Sequence, residues 1–217
     1  MSRDGSATSR SSEVSREPEP GPGGTGGKRL RRPPLWWRTS LRRGLLVQAL
    51  GTALGIVLLA LACGVVGGPA WLRSVALVVG LLLVYLDTHA LGHFVVGRAV
   101  GIAFSGFGVR GTDHPEDYPP GLRQLMSVVP MWTVITDPVS RRAAAPLAQA
   151  AMFAAGETAT TVCTVAAAAA ASICGAPLGF GALVVVVVWN VTASVVVAFV
   201  DKGDYRKAIR AWRARAS

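Results

Sequence analysis

The sequence predicts an all-α integral membrane protein with four spanning helices. Three observations predict it. Hydrophobic residues make up 51% of the chain and charged residues only 16%, where an ordinary soluble domain carries about 25% charged residues. Four apolar runs, at residues 44–66, 74–97, 143–173 and 178–200, are each long enough to cross a hydrocarbon core of ~30 Å at ~1.5 Å per residue. The breaks within the first and last pairs are Gly67-Gly68-Pro69 and Gly175-Ala176-Pro177, which stop helices and turn the chain tightly. The net charge of +10 is gathered near the ends of the runs and no basic patch is interleaved with aromatics. The excess therefore reads as topology and contact with a lipid bilayer, with no nucleic-acid surface.

Residues 1–34 are Ser, Gly, Pro, Arg and Glu with almost no apolar content. They cannot bury enough surface to offset the entropy of ordering and read as a disordered, basic N-terminal tail. Residues 35–73 form an interfacial segment and the first membrane helix. Trp36 and Trp37 lie among Arg31, Arg32, Arg38, Arg42 and Arg43, a mixture suited to the headgroup layer. Residues 74–205 carry the other three helices, and residues 206–217 are a second basic tail. Basic residues crowd the N-terminal flank, the link 98–142 and the C-terminal tail, while the two short links hold Arg73 and none. Four crossings of the cell membrane with both termini in the cytoplasm satisfy that distribution.

The link 98–142 is too long for a simple turn. Residues 101–109 alternate glycine with apolar residues, as short strands or a re-entrant hairpin would. Residues 113–120 are polar and turn-like, with His114 as an exposed loop histidine. Residues 121–135 read as amphipathic or interfacial. Cys63, Cys163 and Cys174 show no metal spacing and read as small buried residues in helices.

The chemistry concentrates at His89 and His93. Four residues apart, they share one helix face, roughly 40° apart around the axis. Two imidazoles so placed can hold one tetrahedral metal ion, usually zinc. Ionisable groups in a membrane-length segment mark function by default; the plainer alternative is two neutral histidines bonded to carbonyls. In the predicted topology both histidines lie in the cytoplasmic half of their helix, and Asp201 and Asp204 emerge from the fourth helix at the same end. Either is placed to complete a three-ligand site with an open fourth position, or both are solvated acids in a basic tail. Asp87 lies about 160° from the histidine direction. Glu157, in the middle of the third run, is a candidate packing acid, polar partner or proton-path residue.

The stretch Thr88-His89-Ala90-Leu91-Gly92-His93-Phe94, continuing to Gly101-Ile102, resembles the His-Glu-x-x-His segment of the site-2 protease family, the intramembrane zinc metalloproteases. Residues 104–108 resemble the hairpin that follows in that family. Ala144-Ala145-Pro146-Leu147-Ala148-Gln149 stands where the family has Ala-Gly-Pro-x-x-Asn, and Asn190 and Ala193 where it has Asn-x-x-Pro. Asp201 or Asp204 stands for its Asp-Gly ligand motif. The resemblance covers about residues 74–210. It implies a three-helix protease-like core with a short hairpin-like insertion. It also implies zinc on His89, His93 and Asp204 or Asp201, with Asn190 near the substrate and a membrane-spanning protein as substrate or partner. The reaction would be hydrolysis of a peptide bond in or near the membrane. Ala90 stands where the family has its general-base glutamate, which leaves Glu157 as the membrane-embedded acid to take over and predicts little or no proteolysis. The alternative is a non-catalytic pseudoprotease that binds or regulates transmembrane segments.

Overall fold

The computed structural model describes residues 35–64, 67–112, 121–199 and 203–215. The expected tail at 1–34, the polar turn at 113–120 with His114, and Asp201 lie outside the described residues.

Four long helices carry most of the chain: α1 (Leu41–Ala62), α2 (Ala70–Ala99), α5 (Pro146–Ile173) and α6 (Gly179–Phe199). Three shorter ones are α3 (Leu122–Val128), α4 (Pro138–Ala143) and α7 (Asp204–Arg213). Among the described residues, three helices are long and apolar enough to cross a membrane: Leu41–Ala62, Ala70–Ala99 and Gly179–Val196. The expected third span differs. Pro146 opens α5 and separates it from α4, because proline suits the first helical turn and disfavours helix in the residue before it. The 28 residues of α5 then include Glu157 and several threonines, and α5 is not among those three.

The fold is mostly helical, not all-α. A three-stranded antiparallel sheet in the order β1-β2-β3 joins β1 (Trp37–Thr39), β2 (Phe104–Arg110) and β3 (Met131–Thr136). β2 falls in the predicted hairpin, but its partners come from the interfacial segment before α1 and from the stretch expected to be interfacial. Glycine spacing lets the sheet sit on the bundle. A Cβ at Gly44 would run into the ring of Phe107, which is fully buried and tilted against Phe94 at 5.7 Å between ring centroids.

Small residues set the helix packing. Gly55 and Gly80 bring the α1 and α2 backbones together: a Cβ on either would lie 2.9–3.0 Å from the other's carbonyl oxygen. Close backbone approach of this kind is how membrane helices associate when lipid removes the hydrophobic drive. At the start of α2 the core is Ala62, Ala76, Leu77, Leu81, Ala168, Ala171 and Ala176. There Cys63 and Cys174 form a disulfide, with Cα atoms 5.5 Å apart. This corrects the reading of all three cysteines as unpaired small residues; only Cys163 is free. At the opposite end Ile102, Phe104 and Met152 form a second core beneath the sheet. His89, His93 and Asp204 lie towards that end, where His93 meets the Met152 carbonyl.

Candidate metal centre

His89 and His93 occupy successive turns of α2, their rings edge to face with centroids 4.8 Å apart. Both point towards α5 and the first turn of α7. Asp204, the first residue of α7, places Oδ2 3.1 Å from His93 Nε2 and 3.6 Å from His89 Nε2. One donor atom from each of the three residues lies within 4.8 Å of the other two.

The surroundings fix which atoms face inward. His93 Nδ1 donates to the carbonyl oxygen of Met152 at 2.7 Å, so Nε2 is the atom turned to Asp204. Thr160 donates its hydroxyl proton to the Gly156 carbonyl at 3.1 Å, and its oxygen faces His89 Nδ1 at 3.5 Å. The second ring nitrogen of each histidine thus meets an oxygen, as second-sphere partners do for metal-binding histidines. Asp204 Oδ1 accepts from Lys207 Nζ at 2.8 Å, and that ammonium lies 5.9 Å from the centroid of the Phe153 ring. Lys207 therefore holds one carboxylate oxygen and leaves the other to the histidines. Burial alone would raise the Asp204 carboxyl, but its hydrogen bonds to His89 and His93 hold it well below the usual carboxylate range.

The contact needs a proton or a metal ion between its two atoms. With Nδ1–H committed to Met152, a neutral His93 turns a lone pair towards a carboxylate oxygen 3.1 Å away. That contact is repulsive unless a proton or a metal ion lies in it. Two imidazoles and a carboxylate suit zinc, and α5 leaves the space. A Cβ at Gly156 would collide with His93 Nε2 and lie 2.6 Å from both Cδ2 and Cε1 of the ring. A Cβ at Gly92 would lie 2.6 Å from the Ala155 carbonyl oxygen, so the two helices cross at contact. Met152, Gly156 and Thr160, at four-residue spacing on one face of α5, form the wall behind the histidines.

The other predicted residues divide. Glu157 lines a small cleft with Tyr85, Leu86, His89, Met131 and Trp132, so it shares the open side of His89. Ala90 is fully buried. Asp87 is buried on a different side of α2, where a Cβ at Gly51 of α1 would strike its carboxylate. Asn190 is committed to packing α5 against α6. Its amide nitrogen donates to Thr164 Oγ1 at 3.2 Å and to the Val186 carbonyl at 2.8 Å, and its oxygen accepts from Thr161 at 3.2 Å. Those three partners engage the side chain, which the sequence reading placed near the substrate. Gly156, Thr160, Lys207 and the Met152 carbonyl were not singled out from sequence. The four-residue spacing of Met152, Gly156 and Thr160 was the available signal.

The chain was compared with protein-family models, characterised proteins and solved structures, and nothing matched. The class of protein defined here therefore rests on the fold and the site: a largely helical chain with membrane-length helices and a two-histidine, one-carboxylate group that could hold a metal ion.

Proposed function

We propose that this chain is a membrane-embedded zinc protein of the site-2-protease type, with zinc on His89, His93 and Asp204 and with hydrolysis weak or absent. One observation carries the reading: the three donors converge while Met152, Thr160 and Lys207 engage their remaining polar atoms and Gly156 leaves the space beside Nε2. Zinc bound by three protein ligands supplies Lewis acidity to a carbonyl and acidifies water at its open position. The chain's own residues would do the rest. β3 pairs only with β2 among the described residues, and Met131 and Trp132 line the cleft beside His89 and Glu157. An extended segment of a membrane-spanning protein could lie along that edge by strand addition. Proton transfer to the leaving amine needs a positioned acid, worth about 10²–10⁴-fold. Ala90 offers none, and Glu157 is the carboxyl in the cleft.

The membrane reading has α1, α2, α5 and α6 as four crossings, with the metal centre towards the cytoplasmic side. Its supports are the exposed Trp36, Trp37, Arg38, Arg42 and Arg43 near the sheet, the cations of α7, and the disulfide at the far end. Disulfides persist in oxidising compartments, which supports a non-cytoplasmic side for the end that carries Cys63 and Cys174.

The second reading is a pseudoprotease that binds transmembrane segments without cutting them, and the complete burial of Ala90 favours it. The test is zinc content and cleavage of a membrane-spanning peptide by the purified full chain. About one zinc per chain, lost in His89→Ala, His93→Ala and Asp204→Ala, is the expected result. Cleavage that falls in Glu157→Gln supports the peptidase, whereas a peptide bound but uncut supports the second reading. Absence of zinc from the unaltered protein refutes the zinc reading and leaves a metal-free binding protein.

A further inference from the structure

Helix α7 has two jobs on its two sides. Its inner side holds Asp204 at the histidines, buries Ala208 and sets Lys207 over Phe153. Tyr205 adds a hydroxyl contact to Thr158 of α5 at 3.2 Å. Its outer side is cationic. At ~100° per residue, Arg213 lies about 180° and Arg210 about 120° around the axis from Asp204. Both are exposed, and Trp212, about 80° from Asp204, is 60% exposed. Arginines on the free side of a short amphipathic helix, with an exposed indole at its edge, match the chemistry of an anionic bilayer surface.

The helix is also poorly anchored by itself. It has ten residues, and its N-cap Gly203 supplies no side-chain hydrogen bond. An isolated helix this short is marginal in water, so its placement depends on what it docks against. The protein side of that docking carries the third metal ligand.

We propose that α7 reads membrane charge. Anionic phospholipid headgroups engage Arg210 and Arg213, hold α7 against the bundle, and thereby hold Asp204 at His89 and His93, so that metal affinity rises with the negative charge of the surrounding membrane. This inference rests on the metal-centre reading. Each cation near an anionic surface contributes about a fivefold preference, so two give about thirtyfold if their binding is fully coupled to the position of Asp204.

The test compares zinc affinity of the full chain, by chelator competition, in nanodiscs of phosphatidylcholine alone and of phosphatidylcholine with phosphatidylglycerol. The expected result is about ten- to thirtyfold tighter zinc in the anionic discs at low salt, with the difference shrinking as salt screens it. Arg210→Gln with Arg213→Gln removes the difference while leaving affinity in neutral discs unchanged, and Arg210→Lys with Arg213→Lys keeps it. Equal affinity in both discs, or a lipid effect that survives the glutamine pair, overturns the proposal and leaves the metal centre standing. Failure to bind zinc in either disc refutes the metal centre itself, and the lipid coupling falls with it.

Discussion

Replacing Gly156 with alanine adds one methyl group to the wall behind the histidines. Its effect should divide cleanly between metal binding and folding. The new Cβ collides with His93 Nε2 and lies 2.6 Å from Cδ2 and Cε1, whereas carbon contacts settle at about 3.5–4.0 Å. The imidazole must move by about 1 Å. Metal–ligand distances tolerate only about 0.2 Å, so His93 leaves the coordination sphere. Separating the helices to absorb the methyl group would cost the close packing of Gly92 on Ala155. Loss of a ligand exceeds the 10–100-fold cost typical of disturbing a ligand's partner, so zinc affinity should fall by at least about 100-fold. Metal-free stability should hardly change. Alanine favours an interior helical position by about 1 kcal/mol over glycine, and the displaced His93 gives up its bond to Met152, worth about 1 kcal/mol. The assay is chelator competition for zinc alongside thermal unfolding in excess chelator. Wild-type zinc affinity in Gly156→Ala would refute the placement of Nε2 at the metal. Loss of the metal-free fold would reduce Gly156 to a packing residue.

Lys207→Gln releases Asp204 Oδ1 and should weaken zinc about tenfold, with Lys207→Arg recovering part of the loss. Cys63→Ser and Cys174→Ser open a link between residues 111 apart; each should lower stability by about 2–4 kcal/mol while leaving zinc content intact, and maleimide should label the native pair only after reduction. Asn190→Ala should cost about 1–3 kcal/mol by orphaning its partners on α5 without changing zinc binding; a selective loss of peptide binding with stability unchanged would support a substrate role. Ala90→Glu must place a carboxyl where no space is open and should lower metal-free stability by about 3 kcal/mol or more. A fully stable, newly proteolytic Ala90→Glu protein would show that position 90 had remained ready for its base.

Legibility in the sequence followed the range of the interaction. α1, α2 and α6 are continuous apolar runs whose length alone declares them. The sheet was half visible because a three-residue strand such as Trp37–Thr39 has no periodicity of its own; its partner, Phe107–Val109, supplies its structure. Trp37 and Arg38 also read well as headgroup residues, and that reading competed with strand. The break before α5 was present in Pro146 but was masked by the alanine-rich stretch around it. The Cys63–Cys174 bond joins two turns that are remote in sequence, and no local pattern signals such a pair. At the site, the His89–His93 spacing is a helix-turn relation and needed no tertiary information. The choice between two aspartates depended on where α7 begins. Asp204 opens that helix and reaches the histidines. The supporting atoms were hardest to see, since a carbonyl, a glycine and a threonine on α5 acquire meaning only once α5 crosses α2.

The pattern of support around the site bears on what a metal bound there would do. Four groups on α5 and α7 serve the three candidate ligands: the Met152 carbonyl on His93, Thr160 by His89, Lys207 on Asp204, and Gly156 as open space. Position 90, one residue from a ligand, carries only a methyl group. A site built for hydrolysis alone would have little use for that contrast, because three ordered ligands without a base acidify water but do not deliver its proton. Holding α7 is a second role that needs only the ligands. α7 is short and its N-cap Gly203 supplies no side-chain hydrogen bond, and a metal bridging α2 and α7 would add to its packing on α5 through Ala208, Lys207 and Tyr205. Metal binding that is coupled to local folding contributes its free energy to that fold. On this argument a metal bound there would work first as a clamp, and any catalysis through Glu157 would be added to it. Removing zinc should therefore expose the amides of α7 to hydrogen exchange while α1 and α2 stay protected. Uniform protection with and without zinc would separate the metal from the helix and return the site to catalysis alone.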